Sequence, residues 1–487
     1  MLAAGAVLSP PPAAEVVGEP DLSAWIRAPA AARSVADHVD GGEGTPAAPW
    51  TGWEDVFDAV PAAGLRIDFR PGHYEQRVPV ALPVDLDGWL EILGHGAEIH
   101  LTATAPRFLD VGRTADGQTL RRVHLEGFTI DAHAVGGRHH VILGIFQGGD
   151  TTSGRCLDVD GIVIREIATR NVPTYPDPDK HHRLNLWLGS IDPGPGRPPC
   201  PQGEASIRNV LVEDLDLAGG NMGVVIFGSG AGVARVWLDE IHVHHVHHDL
   251  LVPPRKGYYS SNVHLGSRGY GGRAHVSNVV GRNSADVGIE VNGFQDAVVE
   301  ENLLENAFFA GILVRNYTDR VDPGRQRIRV RENTVVYTSD TGGRRTKRGI
   351  SVSESGPFPL GSVRIDSYDY YTRETEWNGE GSCLHVLMRN EAPRTIVGSR
   401  IRCSFHELAD HKDARLRPVW VDSTTPLSLE LDDLEIDLRG AYHGRGEGTV
   451  EAVRIEGPVA ARLQRIECGF RIDAPPSLER RCIERVE

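Results

Sequence analysis

Hydrophobic and polar positions alternate along this chain in a pattern that repeats. Residues 284–316 read SADVGIEVNGFQDAVVEENLLENAFFAGILVRN, in which GIEV returns as GILV 23 residues later. The same short alternating unit recurs as LGIF (143–146), LNLWLG (184–189), GVVIFG (223–228), SNVHLG (261–266), GISVSE (349–354), LHVLMR (384–389), VWVDS (419–423) and AVRIEG (452–457). The intervals run from about 23 to about 41 residues. Most units follow a second pair of alternating runs, such as VLVEDLDL, RIRVRENTVV or LELDDLEID. A polar residue breaks each pair: Asp214, Asn302, Asn333 or Asp433.

Alternation turns one side of each short Val/Ile/Leu-rich strand toward a core. No two-residue hairpin signal joins consecutive strands, and no helical stretch is long enough for a crossover. A rung that cannot bury its own face must stack on its neighbours, so the pattern predicts an all-β solenoid. Asn or Asp at the recurring bend is expected to bond the equivalent turns above and below. Ahead of the rungs, TGWEDVFDAV (51–60) places Trp53, Val56, Phe57 and Val60 on one helical face, with Thr51 and Glu54 spaced as a capping box. It predicts a short N-terminal capping helix. Residues 1–48, rich in Ala, Pro and Gly, read as a leader or linker, and 49–487 as one domain with an insertion loop at 172–203. The opening MLAAGAVLSPPPAAEVVG is apolar but lacks a basic n-region, which suits part of a signal peptide.

GIxV strands alternating with VxxN turns resemble the right-handed parallel β-helix of the pectate-lyase-like superfamily, over about residues 60–475. The resemblance implies roughly ten to twelve rungs and a carbohydrate substrate lying along the sheet that holds the glycine-led strand. This fold hosts lyases, hydrolases, transglycosidases, esterases, epimerases and stalks, so function must come from the site.

If Ile289 and Val291 point inward, Glu290 and Asn292 point outward. The same phase gives an outward row: Phe146, Trp187, Val225, His264, Glu290 with Asn292, Leu313 with Arg315, Ser351 with Ser353, His385, Trp420 with Asp422, and Arg454. Rungs stand roughly 4.8 Å apart, which would bring His264, Glu290 and Arg315 within reach of one sugar, with Trp187 and Trp420 on either side. Glu290 suits acid, base or nucleophilic work on a glycosidic bond, with Asp286, Asp249 or Asp422 as a second carboxylate. Arg315 suits a carboxylate or sulfate; the tryptophans offer flat apolar faces, and Asn292 and His385 polar contacts. The plainer readings are a solvated rung residue for Glu290 and a cross-rung ion pair for Arg315.

IHVHHVHHDLL (241–251) puts His242 and His244 on one strand face, with His247, His248 and Asp249 expected in the next turn. No recognisable ligand spacing completes a metal site there, so no metal is assigned. PPRKGYYS (253–260) brings Lys256 near His264, and Arg268 follows; Lys occurs only four times in the chain.

Composition adjusts this picture. The net charge of −16 argues against general nucleic-acid binding. Yet residues 255–348 hold 15 Lys/Arg against 10 Asp/Glu, a local balance of +5 that suits either a solvated face or an anionic substrate. No run of about 20 apolar residues is present to span a membrane. The six cysteines, Cys156, Cys200, Cys383, Cys403, Cys468 and Cys482, form three sequential neighbours, which suits local disulfides in an exported protein.

The leading expectation is a glycoside hydrolase or transglycosidase, although the chain lacks the NTD, paired-DD and GHG motifs of polygalacturonases. The second is a lyase or C5-epimerase on a uronic acid polymer, with Arg315 or Arg268 neutralising the carboxylate and Lys256 or His264 as base. The third is a sugar-binding scaffold without catalysis. A poly- or oligosaccharide is the expected partner in each; no motif indicates a cofactor or calcium, and monomer and trimer stay open.

Overall fold

A computed structural model describes residues 31–61, 63–82, 88–111, 121–135, 140–148, 158–174, 183–191, 204–227, 235–250, 260–266, 270–319, 321–338, 347–354, 358–373, 380–392, 394–406, 415–441, 449–473 and 479–486. The chain coils into a parallel β-helix, as its rhythm predicts. One 14-stranded sheet collects the glycine-led strands, and an 18-stranded sheet collects the segments between them. Val287–Asn292 pairs in parallel with Ser261–Gly266 on one side and with Ala310–Arg315 on the other. Arg235–Asp249 likewise lies between Glu204–Gly219 and Tyr270–Ser277. Thirteen strands follow one another along the 14-stranded sheet, more than the expected ten to twelve, because Ala81–Leu82, Leu109–Val111 and Glu479–Val486 carry no glycine-led unit.

The inward column Ile289, Ile312, Ile350, Leu384, Val419 and Val453 is fully buried and stacks in register from rung to rung. Each rung surrenders half its side chains to this shared core, which no single rung could close alone.

The long strands bend at single residues in the left-handed region. Asp214, His245, Asn278, Glu301, Glu332, Ser367, Arg400 and Asp433 all have φ between 50° and 57°, and the register sets them one above another. This finding corrects the expected polar ladder. Asp214 and Asp433 occupy the left-handed corner itself and are exposed, whereas Asn302 and Asn333 sit one residue later and are buried. Of these four, the asparagines bond each other across rungs: Asn302 Nδ2 donates to Asn333 Oδ1 at 2.8 Å, and Asn333 Nδ2 donates to the Val299 carbonyl at 2.9 Å.

The N-terminal capping helix is not formed. Glu54–Phe57 makes one 3₁₀ turn, and no side chain caps it. Glu54 Oε1 instead accepts from the backbone N–H groups of Arg77 and Val78. The apolar face is real, with Trp53 and Val56 fully buried, but Ala59 turns to φ 51° and Pro61 follows, so the run is too short to nucleate an α-helix. The 1–48 boundary also moves, since Ala32–Ser34 pairs with Gly64–Asp68 and Val35 is buried in the core. Nor is 172–203 a single loop: Arg183–Ile191 is a full rung of the 14-stranded sheet.

Two of the three cysteine pairs close, Cys383–Cys403 and Cys468–Cys482. Cys156 and Cys200 lie outside the described residues. These bridges are compatible with an extracellular protein. No helix among the described residues is long and apolar enough to cross a membrane.

Candidate functional site

The outward row is assembled by direct pairing. Trp187 lies beside Val225, Val225 beside His264, His264 beside Glu290, and Glu290 beside Leu313. Ser351, His385, Trp420 and Arg454 continue it. Phe146 falls out of the row, for it pairs with Gly189 rather than Trp187. A parallel column holds Asn292, Arg315, Ser353 and, further along, Asp422.

Along this row the polar residues are buried rather than solvated. Glu290, Asn292, Ser351 and His385 are about as inaccessible as the core, at 0–1 % exposure. Burying a carboxylate requires partners. Arg315 donates to Glu290 Oε1 from Nε at 2.6 Å and from Nη2 at 2.5 Å, and Asn292 Nδ2 approaches the same oxygen at 3.4 Å. The cross-rung ion pair weighed for Arg315 is therefore present. Its guanidinium also lies 4.7 Å from the Tyr317 ring, with Nη1 3.4 Å from the hydroxyl.

His264 completes the group. Its Nδ1 faces Glu290 Oε2 at 3.4 Å, and its Nε2 is buried without a protein hydrogen-bond partner. Burial lowers its pKa, with Glu290 pulling it up and Arg315 pushing it down. The ring is thus neutral near pH 7. With the Nδ1 proton toward Glu290, Nε2 carries an uncommitted lone pair. Phe227 lies 5.7 Å from this ring and 5.4 Å from Trp187.

Other expected residues divide. His385 takes Ser351 Oγ at 3.2 Å and packs 4.8 Å from Trp420, itself covered by the Arg417 guanidinium at 4.5 Å. Burial holds the His385 pKa well below the ordinary histidine value. Asp422 is gripped by both Arg389 terminal nitrogens, which ties it into a structural pair. Asp249 belongs to Arg235–Asp249 in the other sheet and accepts from Asn283 Nδ2 at 3.1 Å. Asp286 is half-buried at the corner before Val287, where its carbonyl takes the Phe309 N–H at 2.7 Å. Lys256 and Arg268 lie outside the described residues.

The histidine run is a strand, not a strand and a turn: His247, His248 and Asp249 continue Arg235–Asp249 past the bend at His245. His248 is fully buried, with Nε2 on the Gly219 carbonyl at 3.1 Å and Nδ1 on Asn262 Nδ2 at 3.0 Å. Among the described residues, several arginines of the locally basic middle are paired within the fold. Arg273 pairs with Glu240, Arg282 with Glu305, Arg329 with Asp296, and Arg331 with Glu300.

Sequence reasoning passed over Phe227 and Tyr317: Phe227 sits two residues beyond Val225, the register partner of His264, and Tyr317 follows Arg315 on the same segment past the end of its strand, so neither falls at the row position that alternation marks.

No family model matches the chain, and no curated protein matches it. Among solved structures it aligns with the crystal structure of the bacteriophage phi29 gene product 12 N-terminal fragment. That alignment covers 90% of this chain and 93% of that one, at 13% identity and a TM-score of 0.20. Similarity that slight carries no argument. The protein is therefore defined by its fold, a parallel β-helix.

Proposed function

We propose that this protein is a polysaccharide-active enzyme whose substrate lies along the 14-stranded face, and that it acts by removing a proton from a uronic acid residue. One observation carries the reading: the buried His264, whose pKa burial lowers, has Nδ1 3.4 Å from Glu290 Oε2 and Nε2 without a protein hydrogen-bond partner. That is the arrangement of a general base. In it, His264 Nε2 takes the C5 proton, the electron pair forms the C4=C5 bond, the C4–O bond breaks, and the leaving oxygen takes a proton from water. In this reading Arg315, with its side chain 23 % exposed beside the base, would meet the uronate carboxylate. A C5-epimerase would use the same base to remove the proton, and water would deliver a proton to the opposite face of C5. The resemblance of the rungs to the pectate-lyase-like superfamily supports this choice of substrate, and the two disulfides are compatible with an extracellular protein.

Hydrolysis is the second reading. It is favoured by Glu290 as the outward carboxylate of the row between Trp187 and Trp420. Against it, both Glu290 oxygens are engaged, and Asp249 and Asp422 are committed elsewhere.

The test is incubation of the purified chain with neutral and uronate polysaccharides, following reducing ends, unsaturated product by ultraviolet absorbance, and deuterium uptake at C5. Unsaturated product that disappears in His264→Gln supports elimination. Deuterium uptake without cleavage, lost in the same variant, supports epimerisation. Reducing ends without unsaturation, lost in Glu290→Gln, mean hydrolysis. Binding without any of these means a scaffold.

A further inference from the structure

The second histidine group lies on the other sheet, and the structure completes what its sequence left incomplete. His242 and His244 stand two residues apart on Arg235–Asp249, on the same outward side, with Val243 between them in the core. The next rung sets His275 directly beside His242 and Ser277 beside His244. All three rings are more than nine-tenths buried, at 2 %, 5 % and 8 % exposure. One nitrogen from each lies within 4.8 Å of the other two, and the rings of His244 and His275 meet edge to face at 4.7 Å.

The remaining nitrogens have a consistent set of neighbours. His275 Nε2 is 2.7 Å from Glu300 Oε1, and Glu300 is paired in turn with Arg331. His244 Nδ1 is 2.7 Å from Ser277 Oγ. Glu240 Oε2 is 3.4 Å from His242 Nε2, and the other oxygen of Glu240, Oε1, is paired with Arg273. A carboxylate oxygen stands beside His242 and His275, and a hydroxyl that can donate or accept stands beside His244. On the cluster side, His244 Nε2 and His275 Nδ1 are buried with no protein hydrogen-bond partner. Buried acceptors of this kind are costly unless something fills them.

We propose that His242, His244 and His275 bind one zinc-class divalent transition metal ion, with Glu240, Ser277 and Glu300 as the supporting outer partners. The chemistry fits at each level. Imidazole suits zinc, cobalt, nickel and copper and is a poor ligand for calcium or magnesium. A His-x-His pair on one strand with a third histidine across the ladder gives three ligands on one side of the ion. A carboxylate or hydroxyl behind each ring is the usual outer layer of such sites. Nitrogens at about 2.0–2.1 Å from zinc stand about 3.3 Å apart, so small side-chain rotations close the observed 4.8 Å spread. Among the described residues no further histidine, cysteine or carboxylate joins the group, which leaves a fourth position for water or another oxygen ligand. A second trio, His73, Glu98 and His100, is half-buried, and its histidines already bond each other at 3.1 Å, so it lacks the facing lone pairs.

The experiment uses the full chain, stripped with chelator, desalted and titrated with zinc chloride, with bound metal measured after gel filtration. Expected is one ion per chain, with affinity reduced at least about 100-fold in His275→Gln and about 10–100-fold in Glu300→Gln, the latter at unchanged stoichiometry. His73→Gln should bind as the parent does. Retained parental affinity in His275→Gln, or no uptake by the stripped chain, overturns the proposal. If His275→Gln fails the circular-dichroism check for folding, cobalt(II) added to the parent chain decides. Intense visible bands of a four-coordinate nitrogen site support the site, and the weak spectrum of a six-coordinate ion overturns it.

Discussion

Two histidine groups sit on outward positions of neighbouring rungs, and they differ in what stands beside the rings. On the 14-stranded sheet a single ring, His264, shares its carboxylate with a cation, because Arg315 grips Glu290. On the 18-stranded sheet three rings face one another, and the oxygen acceptors stand behind them. The difference teaches that burial alone does not define a site. Every one of these carboxylates is paired with an arginine, so what differs is the number of rings: one ring offers a single nitrogen, whereas three rings bring three nitrogens together. In both groups the β-helix supplies the same geometry, a column of side chains at one-rung spacing.

The largest expected effect separates the two carboxylates. Arg315→Met strands Glu290, whose side chain is 2 % exposed, and should cost about 3–5 kcal/mol in urea unfolding. Arg331→Met removes the guanidinium partner of Glu300, but that arginine is 43 % exposed and His275 still holds the carboxylate, so about 1 kcal/mol or less is expected. Equal losses would break the comparison.

Next comes pH. His248 is fully buried between the Gly219 carbonyl and Asn262, and its pKa is pushed down from 6.5 to about 4, chiefly by burial. Between those values the unfolded chain holds a proton that the folded chain refuses, so stability must fall as pH drops through that window. The contribution lost amounts to about 3 kcal/mol. His264 acts with the same sign, since its pKa is also lowered. His248→Gln should flatten the melting temperature between pH 4 and 6.5, as followed by calorimetry; an unchanged slope would mean the ring is protonated in place. By the same sign, elimination by His264 should persist to pH values below its ordinary 6.5, because the base form survives further into acid.

Zinc then discriminates between the two faces. At a free concentration of about 100 times Kd, one site contributes about 2.7 kcal/mol to folding. The parent and His264→Gln should both gain that stability in thermal melts, and His275→Gln should not. A gain in all three would place the metal elsewhere.

Much of this was legible in the chain. Ten alternating units pointed to a β-helix and, except at the Phe146 rung, to the right phase, so the neighbours of Glu290 could be named from sequence. Three things resisted. The polar bend residues fell into two columns, because a one-residue shift between Asp214 and Asn302 relative to the corner leaves no mark in an alternating pattern. The burial of Glu290 was invisible, since alternation tells inward from outward but not what covers an outward face. And His275 was missed although its signal was present: AHVS (274–277) repeats the His-Val phase of IHVH (241–244), one rung on, at an interval of 33 residues. Searching for a ligand in the local sequence overlooked a partner that the solenoid brings alongside.

The smallest expected effect comes from the control that the fold itself provides. Glu213, Asp214 and His245 also gather within ligand distance, yet His245 and Asp214 are about half exposed, and the His245 ring pairs with Asp214 at 3.5 Å. Its backbone holds φ 50° in the left-handed corner. Asparagine tolerates that conformation, so His245→Asn should change stability by no more than about 0.5 kcal/mol and leave zinc uptake untouched. The contrast with His275→Gln is the point. Both changes remove one imidazole from a trio that could hold an ion. If burial and the acceptors behind the rings make the site, only His275→Gln loses the metal. If His245→Asn lowers uptake as much, proximity of ligand types was sufficient and the distinction between the clusters fails.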